Sequence, residues 1–216
     1  MENVKLHTEV ADLTNMSSKK ISYIDGDLIK LALSGKFDVI VHGCNCFCTM
    51  GAGIAPQMAE AFGCDNFDLE IVEEFWNDED GNQYISPTNN RGDVNKLGNI
   101  DWRHQYLWFK HPLAKDGLAI SMGHKSVRQS DVQDIIVVNA YTQYNYGRNH
   151  ADGVSNPFDY EAFTMCMRKM NHLFKGKHIG MPKIGSGLAG GDWNRIEHII
   201  SVELRDCQVT VVNYRP

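Results

Sequence analysis

The sequence of 216 residues lacks a long hydrophobic stretch. No run of about 18 apolar residues occurs, so no membrane-spanning helix and no membrane partner are expected. The first ten residues are polar and lack the apolar core of a signal peptide. No internal repeat is apparent either. These absences, together with the chain length, predict one globular domain located in the cytoplasm.

Positive charge is also scarce. The chain has 21 Lys and Arg residues against 27 Asp and Glu residues, which gives a formal net charge of -6. Non-specific binding of nucleic acid depends on Lys and Arg contacts to phosphate, so this charge balance disfavours it. Any anionic ligand must therefore be held by local hydrogen-bond donors rather than by the overall field of the protein.

The six cysteines lack the spacing of a metal site. Cys44, Cys46 and Cys48 alternate with single residues between them, whereas zinc-binding cysteines are usually two to four residues apart and come in two pairs. No second pair follows. We therefore expect reduced thiols, no metal and no cofactor.

What the sequence does contain is an alternation of strand-like and helix-like segments. The strand-like segments are residues 22–25, 38–43, 118–122, 135–140, 179–184 and 208–214. The helix-like segments are residues 54–62, 67–76, 160–174 and 193–204. This order predicts a three-layer α/β/α domain with a mixed, mostly parallel sheet. Residues 77–115, rich in Asn, Asp and Gly, interrupt the alternation and predict an insertion or lid.

Two glycine-rich loops each connect a predicted strand to a predicted helix. Loop 1 is VHGCNCFCTMGAGIA at residues 41–55, and loop 2 is PKIGSGLAGGDW at residues 182–193. Neither is a P-loop, and loop 1 lacks the third glycine of the dinucleotide fingerprint. Glycines let the backbone approach a ligand, and a following helix offers free N–H groups, so such loops can bind a diphosphate. We expect both loops at the carboxyl edge of the sheet.

Three motifs together resemble a macro domain. They are YIDGDL at residues 23–28, HGCN at 42–45 followed by MGAGIA at 50–55, and MPKIGSGL at 181–188, and they occur in the order of that family. The His-x-Cys-Asn form is most similar to the branch of ADP-ribose-1''-phosphate phosphatases. The GLAGGDW stretch is also similar to the branch that removes ADP-ribose from DNA.

The resemblance implies specific roles, and position alone offers a simpler alternative for each. Asp27 would accept a hydrogen bond from the adenine amino group, or end a strand in a turn. Asn45 would position the distal ribose, or cap its own loop. His42 would assist proton transfer, or be a buried structural histidine. Asp192 would orient a catalytic partner, or cap the following helix. Tyr214, or its neighbour Asn213, would contact adenine, or be a surface terminus.

The predicted site therefore has a catalytic group and a ligand-binding group. The catalytic residues are His42, Asn45 and Asp192. The ligand-binding residues are Asp27, Leu28, Gly51, Ala52, Gly53, Ile54, Gly185, Ser186, Gly187, Leu188, Ala189, Gly190 and Tyr214. The segment YTQYNYG at 141–147 follows another strand and is expected to form the far wall of the pocket by stacking.

Three functions fit this resemblance. The first is hydrolysis of the terminal phosphate of ADP-ribose-1''-phosphate, which the His-x-Cys-Asn form favours. The second is removal of ADP-ribose from modified DNA or protein, for which Lys96 is a candidate nucleophile. The third is binding of an ADP-ribose signal without catalysis. In each case the partner is ADP-ribose or a phosphorylated derivative, and nucleic acid is expected only as an ADP-ribosylated substrate.

Overall fold

The computed structural model describes residues 21–66, 76–77, 83–84, 91–108, 132–147 and 156–215. Four helices and eight strands lie in these residues. The strands are β1 (Ser22–Gly26), β2 (Val39–Asn45), β3 (Trp76–Asn77), β4 (Gln83–Tyr84), β5 (Ile100–Trp108), β6 (Val132–Gln143), β7 (His178–Met181) and β8 (Gln208–Tyr214). The helices are α1 (Leu28–Leu33), α2 (Ala55–Phe62), α3 (Tyr160–Leu173) and α4 (Trp193–Glu203).

Six strands form one mixed sheet in the order β1-β8-β7-β2-β6-β5. The first five are parallel to their neighbours, and β5 pairs antiparallel to β6 at one edge. Because β2 and β7 are neighbours and parallel, loops 1 and 2 leave the sheet at the same edge. The predicted placement of both loops at the carboxyl edge is therefore confirmed.

Side-chain alternation along the strands separates two hydrophobic cores. Val39 and Val41 of β2 face one core with α3 and α4, while Ile40 faces the other core with α1 and α2. Phe163 on α3 belongs to the first core and Met58 on α2 to the second. Helices thus cover both faces of the sheet, as the continuous apolar character of its parallel strands requires. The predicted three-layer α/β/α architecture is confirmed.

The predicted insertion contains a sheet strand. Residues 100–108, which the sequence analysis placed within the 77–115 excursion, form β5. Ile100 and Trp102 pack against the α3–α4 core, while Asp101 and Arg103 alternate with them. This half-buried alternation is typical of an edge strand, but the polar residues around it obscured the pattern. Residues 100–108 therefore belong to the sheet and not to an insertion or lid.

Two other elements differ from the sequence prediction. Helix α1 was not predicted, since six residues are too few to display a helical period. Trp76, predicted as the last residue of a helix at 67–76, pairs with Tyr84 in a two-stranded ribbon instead. The rest of that helix and the strand predicted at 118–122 lie outside the described residues. Among the helices that are described, none is long and apolar enough to cross a membrane.

Candidate functional site

A cleft of about 730 Å³ opens at the carboxyl edge of the parallel strands, between loops 1 and 2. Of the predicted site residues, those that line it are Asp27, Leu28, Asn45, Ala52, Gly53, Ile54, Gly185, Gly187, Leu188, Ala189 and Tyr214. Ligands of open α/β sheets bind at this edge, where strand ends and helix starts meet. Three motifs that are far apart in the sequence, at 23–28, 42–55 and 181–188, thus all contribute residues to one cavity.

The cleft is elongated because five parallel strands end along it. Gly26 lies at the end of β1, and Gln143 at the end of β6, four strand spacings away. Neighbouring strands lie about 4.8 Å apart, so the edge extends over roughly 19 Å. The register of β2 against β6 shifts between Cys44 and Asn45, so Asn45 is paired with Gln143. Such irregularities re-aim side chains next to binding sites.

One helix that begins at the cleft has no side-chain cap. Helices α1, α3 and α4 begin after an aspartate whose carboxylate accepts backbone N–H groups: Asp27, Asp159 and Asp192. Helix α2 begins after Ile54, which makes no such bond, and Pro56 stands in its first turn. Ala55 and Gln57 line the cleft, so the first turn of α2 presents its N–H groups and the positive end of its dipole there.

Asp27 caps helix α1 and also lines the cleft at the β1–α1 junction. Its Oδ1 accepts from the N–H of Ile29 at 2.9 Å and of Lys30 at 3.2 Å. Its Oδ2 forms a 3.8 Å ion pair with Lys30 Nζ. The capping bonds therefore use only one oxygen of this carboxylate.

Asn45 lines the cleft and also organises loop 1. Its Oδ1 accepts from the N–H of Phe47 at 3.0 Å and of Thr49 at 3.2 Å, and its Nδ2 donates to the Thr49 carbonyl at 3.3 Å. The loop-capping alternative is therefore correct for this structure. One of the two amide hydrogens of Nδ2 serves that bond, so the side chain retains a second donor at the cleft.

His42 does not line the cleft in this structure and matches the alternative of a buried structural histidine, so its catalytic role stays a prediction. The strand pleat directs it to the same face as Ile40, where it is completely buried. Its Nε2 donates to Asn139 Oδ1 at 2.8 Å, and the Asn139 amide in turn donates to the Cys64 carbonyl. Burial lowers the pKa of His42 to about 4, so the imidazole is neutral near pH 7.

Asp192 also lies outside the cleft lining and caps α4. Its carboxylate accepts from the N–H of Asn194 at 2.9 Å, and its own N–H donates to Tyr160 Oη at 2.8 Å. The side chain is exposed at the start of the helix. Asp192 therefore caps α4, as the alternative for this residue type before a helix predicts, and its catalytic role stays a prediction.

Three predicted ligand-binding residues stand apart from the lining. Ser186 donates from Oγ to the Lys183 carbonyl within loop 2. Gly190 has φ +74°, and a Cβ there would overlap the side chain of Asn156. Gly51 is exposed on loop 1 and does not line the cavity. The packing of loop 2 therefore requires glycine at position 190, and Ser186 forms a hydrogen bond within the same loop.

The cleft is also lined by residues that the site prediction omitted. They are Gly43, Thr49, Met50, Gln57, Thr142, Gln143, Tyr146, Gly147, Lys183 and several apolar neighbours. Of the tyrosines at 141–147, Tyr146 lines the far wall, Tyr144 donates to the Gly92 carbonyl, and Tyr141 is buried. The position of this segment after a strand indicated that it lies at the cleft. Which tyrosine lines the cleft depends on the register shift between β2 and β6, which the sequence does not show.

Few ionisable side chains line the cleft. Cys44 reaches it, but burial raises the pKa of its thiol well above the usual value, which disfavours a nucleophilic thiolate. Lys96, the candidate nucleophile, is absent from the lining and is 1% exposed. No cluster of three or more His, Cys, Asp or Glu side chains that could hold a metal occurs within the described ranges. An anion in this cleft would therefore be bound mainly by backbone groups.

These features define an α/β domain with an elongated, backbone-rich cleft at the carboxyl edge of its sheet. No protein-family model matches the chain. A phage T4 protein, known as an uncharacterized 17.5 kDa protein in the tk-vs intergenic region, is 29% identical to it over 200 residues. The aligned region covers 91% of this chain and 97% of the phage protein.

Several solved structures with the same architecture are macrodomains. The macrodomain of Mycobacterium tuberculosis DarG superimposes with a TM-score of 0.51 at 20% identity, covering 91% of this chain and 98% of that one. DarTG of Thermosipho africanus, solved in complex with ADP-ribose, superimposes with a TM-score of 0.50 at 14% identity, covering 92% of this chain and 42% of that one. The chain therefore has the macrodomain fold.

Proposed function

We propose that the cleft binds ADP-ribose or a derivative of it. Asp27 and Tyr214 at the β1–β8 end would hold adenine, the N-terminus of α2 would hold the diphosphate between the two loops, and Asn45 would contact the distal ribose. The solved complex of Thermosipho africanus DarTG with ADP-ribose supports this ligand for a protein of the same fold.

The observation that carries the proposal is the missing side-chain cap of α2. The described helices other than α2 use an aspartate at this position, and a carboxylate at Ile54 would repel a diphosphate. An uncapped N-terminus with free N–H groups and a positive dipole end favours an anion. Gly53 beside it lines the cleft, and no described atom comes within 4 Å of the place its Cβ would occupy. A phosphate can therefore approach the backbone closely there.

The length of the cleft supports a ligand with two different ends. A site of roughly 19 Å exceeds what a mononucleotide needs, whereas ADP-ribose has an adenosine, a diphosphate and a second ribose. Acceptors for a base lie at one end in Asp27, and amides suited to sugar hydroxyls lie at the other in Asn45 and Gln143. This polarity supports the orientation proposed above.

Hydrolysis of the terminal phosphate of ADP-ribose-1''-phosphate is the second candidate. Asn45 favours it, because its amide lines the end of the cleft where the distal ribose is proposed to lie. His42 is buried and Asp192 caps α4, so their positions do not support the proton transfer predicted for His42 or the orienting role predicted for Asp192. An amide orients a substrate or a water but does not exchange protons near neutral pH. Binding is therefore better supported than phosphate release.

The test separates binding from three kinds of turnover. Calorimetry with ADP-ribose, with and without EDTA, should give the same affinity, since the proposed contacts are backbone N–H groups and need no metal. Incubation with ADP-ribose-1''-phosphate, with ADP-ribosylated DNA and with ADP-ribosylated protein should then be followed by assays for free phosphate and free ADP-ribose. Absence of ADP-ribose binding would reject the proposal. Release of ADP-ribose from DNA or protein would replace phosphate hydrolysis as the second candidate.

A further inference from the structure

Lys96 is the only lysine among the described residues whose side chain is buried. Taking an ammonium group out of water is costly unless oxygen atoms surround it. Here Nζ donates to Asp101 Oδ2 and to Tyr141 Oη, both at 3.3 Å, and lies 4.6 Å from the centre of the Tyr141 ring. Tyr141 Oη in turn donates to Asp101 Oδ2. A closed network of three side chains thus sits next to the sheet, inside the protein.

This network contacts the back of loop 1. Cys48 Sγ lies 3.4 Å from Tyr141 Oη, and Cys44, Cys46 and Cys48 form one buried cluster with Tyr141. Cys48 is the non-glycine residue with a positive φ in the described chain, at +53°. A side chain in this backbone region is strained and persists only where its surroundings hold it. The buried cluster supplies such surroundings for the turn.

The same turn carries cleft residues on its other side. The Cys48 N–H donates to the Asn45 carbonyl at 3.0 Å, and the Asn45 side chain bonds the backbone of Phe47 and Thr49. Asn45 and Thr49 line the cleft, and so does Met50, which packs against the cysteine cluster. One layer of side chains therefore separates the Lys96 network from the wall of the cleft.

The segment that holds Lys96 is itself bonded to loop 1 and to β6. The Gly92 N–H donates to the Cys46 carbonyl at 2.8 Å, and the Gly98 N–H donates to the Tyr141 carbonyl at 3.0 Å. Lys96 stands between these two attachment points, in the short helical turn Val94–Lys96. Residues 91–99 thus form a support behind loop 1, with a paired charge at its centre.

We propose that Lys96 is a positioning residue, which through Asp101 and Tyr141 holds the turn at 45–50 in the shape that lines the distal end of the cleft. This rests on the proposed function. The network touches the turn that carries Asn45 and not the start of α2, so it acts on the distal ribose more than on the diphosphate. Its loss should therefore reduce binding of ADP-ribose more than binding of ADP, which lacks that ribose.

The experiment measures the dissociation constants of ADP-ribose and of ADP by calorimetry for the wild type and for Lys96→Met. Methionine keeps an unbranched side chain without the charge. We expect the affinity for ADP-ribose to fall about tenfold, as for mutations that act through a packed network, while the affinity for ADP changes about twofold or less. Lys175→Met, at an exposed position, is the matched control and should leave both affinities unchanged.

A second variant covers the case in which Lys96→Met does not fold because Asp101 is left unpaired. Tyr141→Phe keeps the buried ring and the Lys96–Asp101 pair but removes the hydroxyl that meets Cys48. It should lower the ADP-ribose to ADP affinity ratio in the same direction. An unchanged ratio in either folded variant overturns the positioning role. A wild type that binds neither nucleotide rejects the proposed function instead, so the two failures are distinguishable.

Discussion

Loops 1 and 2 look alike in sequence, but different forces hold them. In loop 2, a Cβ at Gly185 would overlap the ring of Phe158, and one at Gly191 would come within 2.8 Å of Ile196 and 2.9 Å of Phe158. In loop 1, no described atom lies within 4 Å of a Cβ built at Gly51 or Gly53. Gly185 and Gly191 of loop 2 are thus packed against the α3–α4 core, whereas Gly51 and Gly53 of loop 1 face open space.

Loop 1 obtains its shape from side chains instead. Asn45 bonds the backbone of its own turn, and the cysteine cluster with Tyr141 packs beneath it. Gly185 and Gly191 of loop 2 are thus required by the packing of the fold, whereas Gly51 and Gly53 of loop 1 have open space around them. A glycine-rich sequence alone does not distinguish these two causes, and the following predictions test the distinction.

The largest effect is expected for Gly185→Ala. This position has φ +75°, and the added Cβ would overlap Phe158, so backbone strain and overpacking combine. Together they should lower the free energy of unfolding by about 3–5 kcal/mol, measured by urea denaturation. Gly53→Ala, in loop 1, is the matched control with φ +64° and no steric contact, and it should cost about 1–2 kcal/mol. Equal losses in the two variants would contradict a packing requirement specific to loop 2.

The second prediction concerns His42, beneath loop 1. Burial lowers its pKa to about 4, so in the folded state it stays neutral where the unfolded chain already binds a proton. Its contribution is constant above about pH 6.5, and stability falls as the pH decreases from there to about 4. The loss attributable to His42 amounts to about 3 kcal/mol at most. No loss from this residue is expected above neutrality.

Chemical denaturation between pH 7 and pH 4 measures this effect. His42→Gln keeps an amide donor for Asn139 but cannot titrate, so its stability should fall less steeply in acid than that of the wild type. His198→Gln, on the exposed surface of α4, controls for removal of one imidazole. Parallel acid profiles for the wild type and His42→Gln would show that His42 is not buried as a neutral group.

The fold could be predicted well where periodicity and loop chemistry agree. Short runs of apolar residues predicted β2, β6, β7 and β8, and the two glycine loops predicted the cleft between them. Helix α1 and strand β5 were missed, because one is too short for a period and the other lies among polar residues. Sequence gives local pattern, whereas an edge strand is defined by a partner distant in the chain.

The site prediction and the structure differ where the direction of a side chain decides whether a residue lines the cleft. His42 and Asn45 are three residues apart, yet one points into the protein and the other lines the cleft. Side chains three positions apart in a strand point to opposite faces of the sheet, and a register shift also lies between Cys44 and Asn45 at the end of β2. Asp192 was ambiguous from the start, because an aspartate before a helix serves equally as a cap. Spacing alone therefore identified the loops, but not the roles of these residues.

The third prediction concerns Asp27, which lies outside both loops, at the end of the cleft where adenine is proposed to bind. Asp27→Ser keeps one oxygen to cap α1 but removes the second, which is proposed to accept from the adenine amino group. Loss of a hydrogen bond to a charged group should weaken ADP-ribose binding by about 1.5–3 kcal/mol. Binding of ribose 5-phosphate, which has no adenine, provides the control and should be the same in both proteins.

Asp27→Ala tests the cap separately. This variant should weaken ADP-ribose binding as much as Asp27→Ser does. It should also lower the free energy of unfolding by about 0.5–2 kcal/mol, because the cap of α1 is lost. If Asp27→Ser bound ADP-ribose as well as the wild type while remaining folded, the carboxylate would serve the helix alone. The adenine assignment at this end of the cleft would then be wrong.

The smallest effect is expected for Gly187→Ala, which tests whether loop 2 also has a glycine kept for the ligand. Gly187 lines the cleft, and a Cβ there meets no described atom within 4 Å, unlike those at Gly185 and Gly191. Stability should therefore change by less than about 0.5 kcal/mol. The methyl group would occupy space beside the proposed diphosphate, so calorimetry should show about a tenfold loss of ADP-ribose affinity, or 1.4 kcal/mol.

Gly51→Ala is the matched control for this methyl group. Gly51 is equally unobstructed but does not line the cavity, so alanine there should leave both stability and ADP-ribose affinity unchanged. If Gly187→Ala bound ADP-ribose as Gly51→Ala does, the ligand would not approach loop 2 closely at this residue. Loop 2 would then act as a packed wall, and backbone binding of the diphosphate would belong to loop 1 and the start of α2.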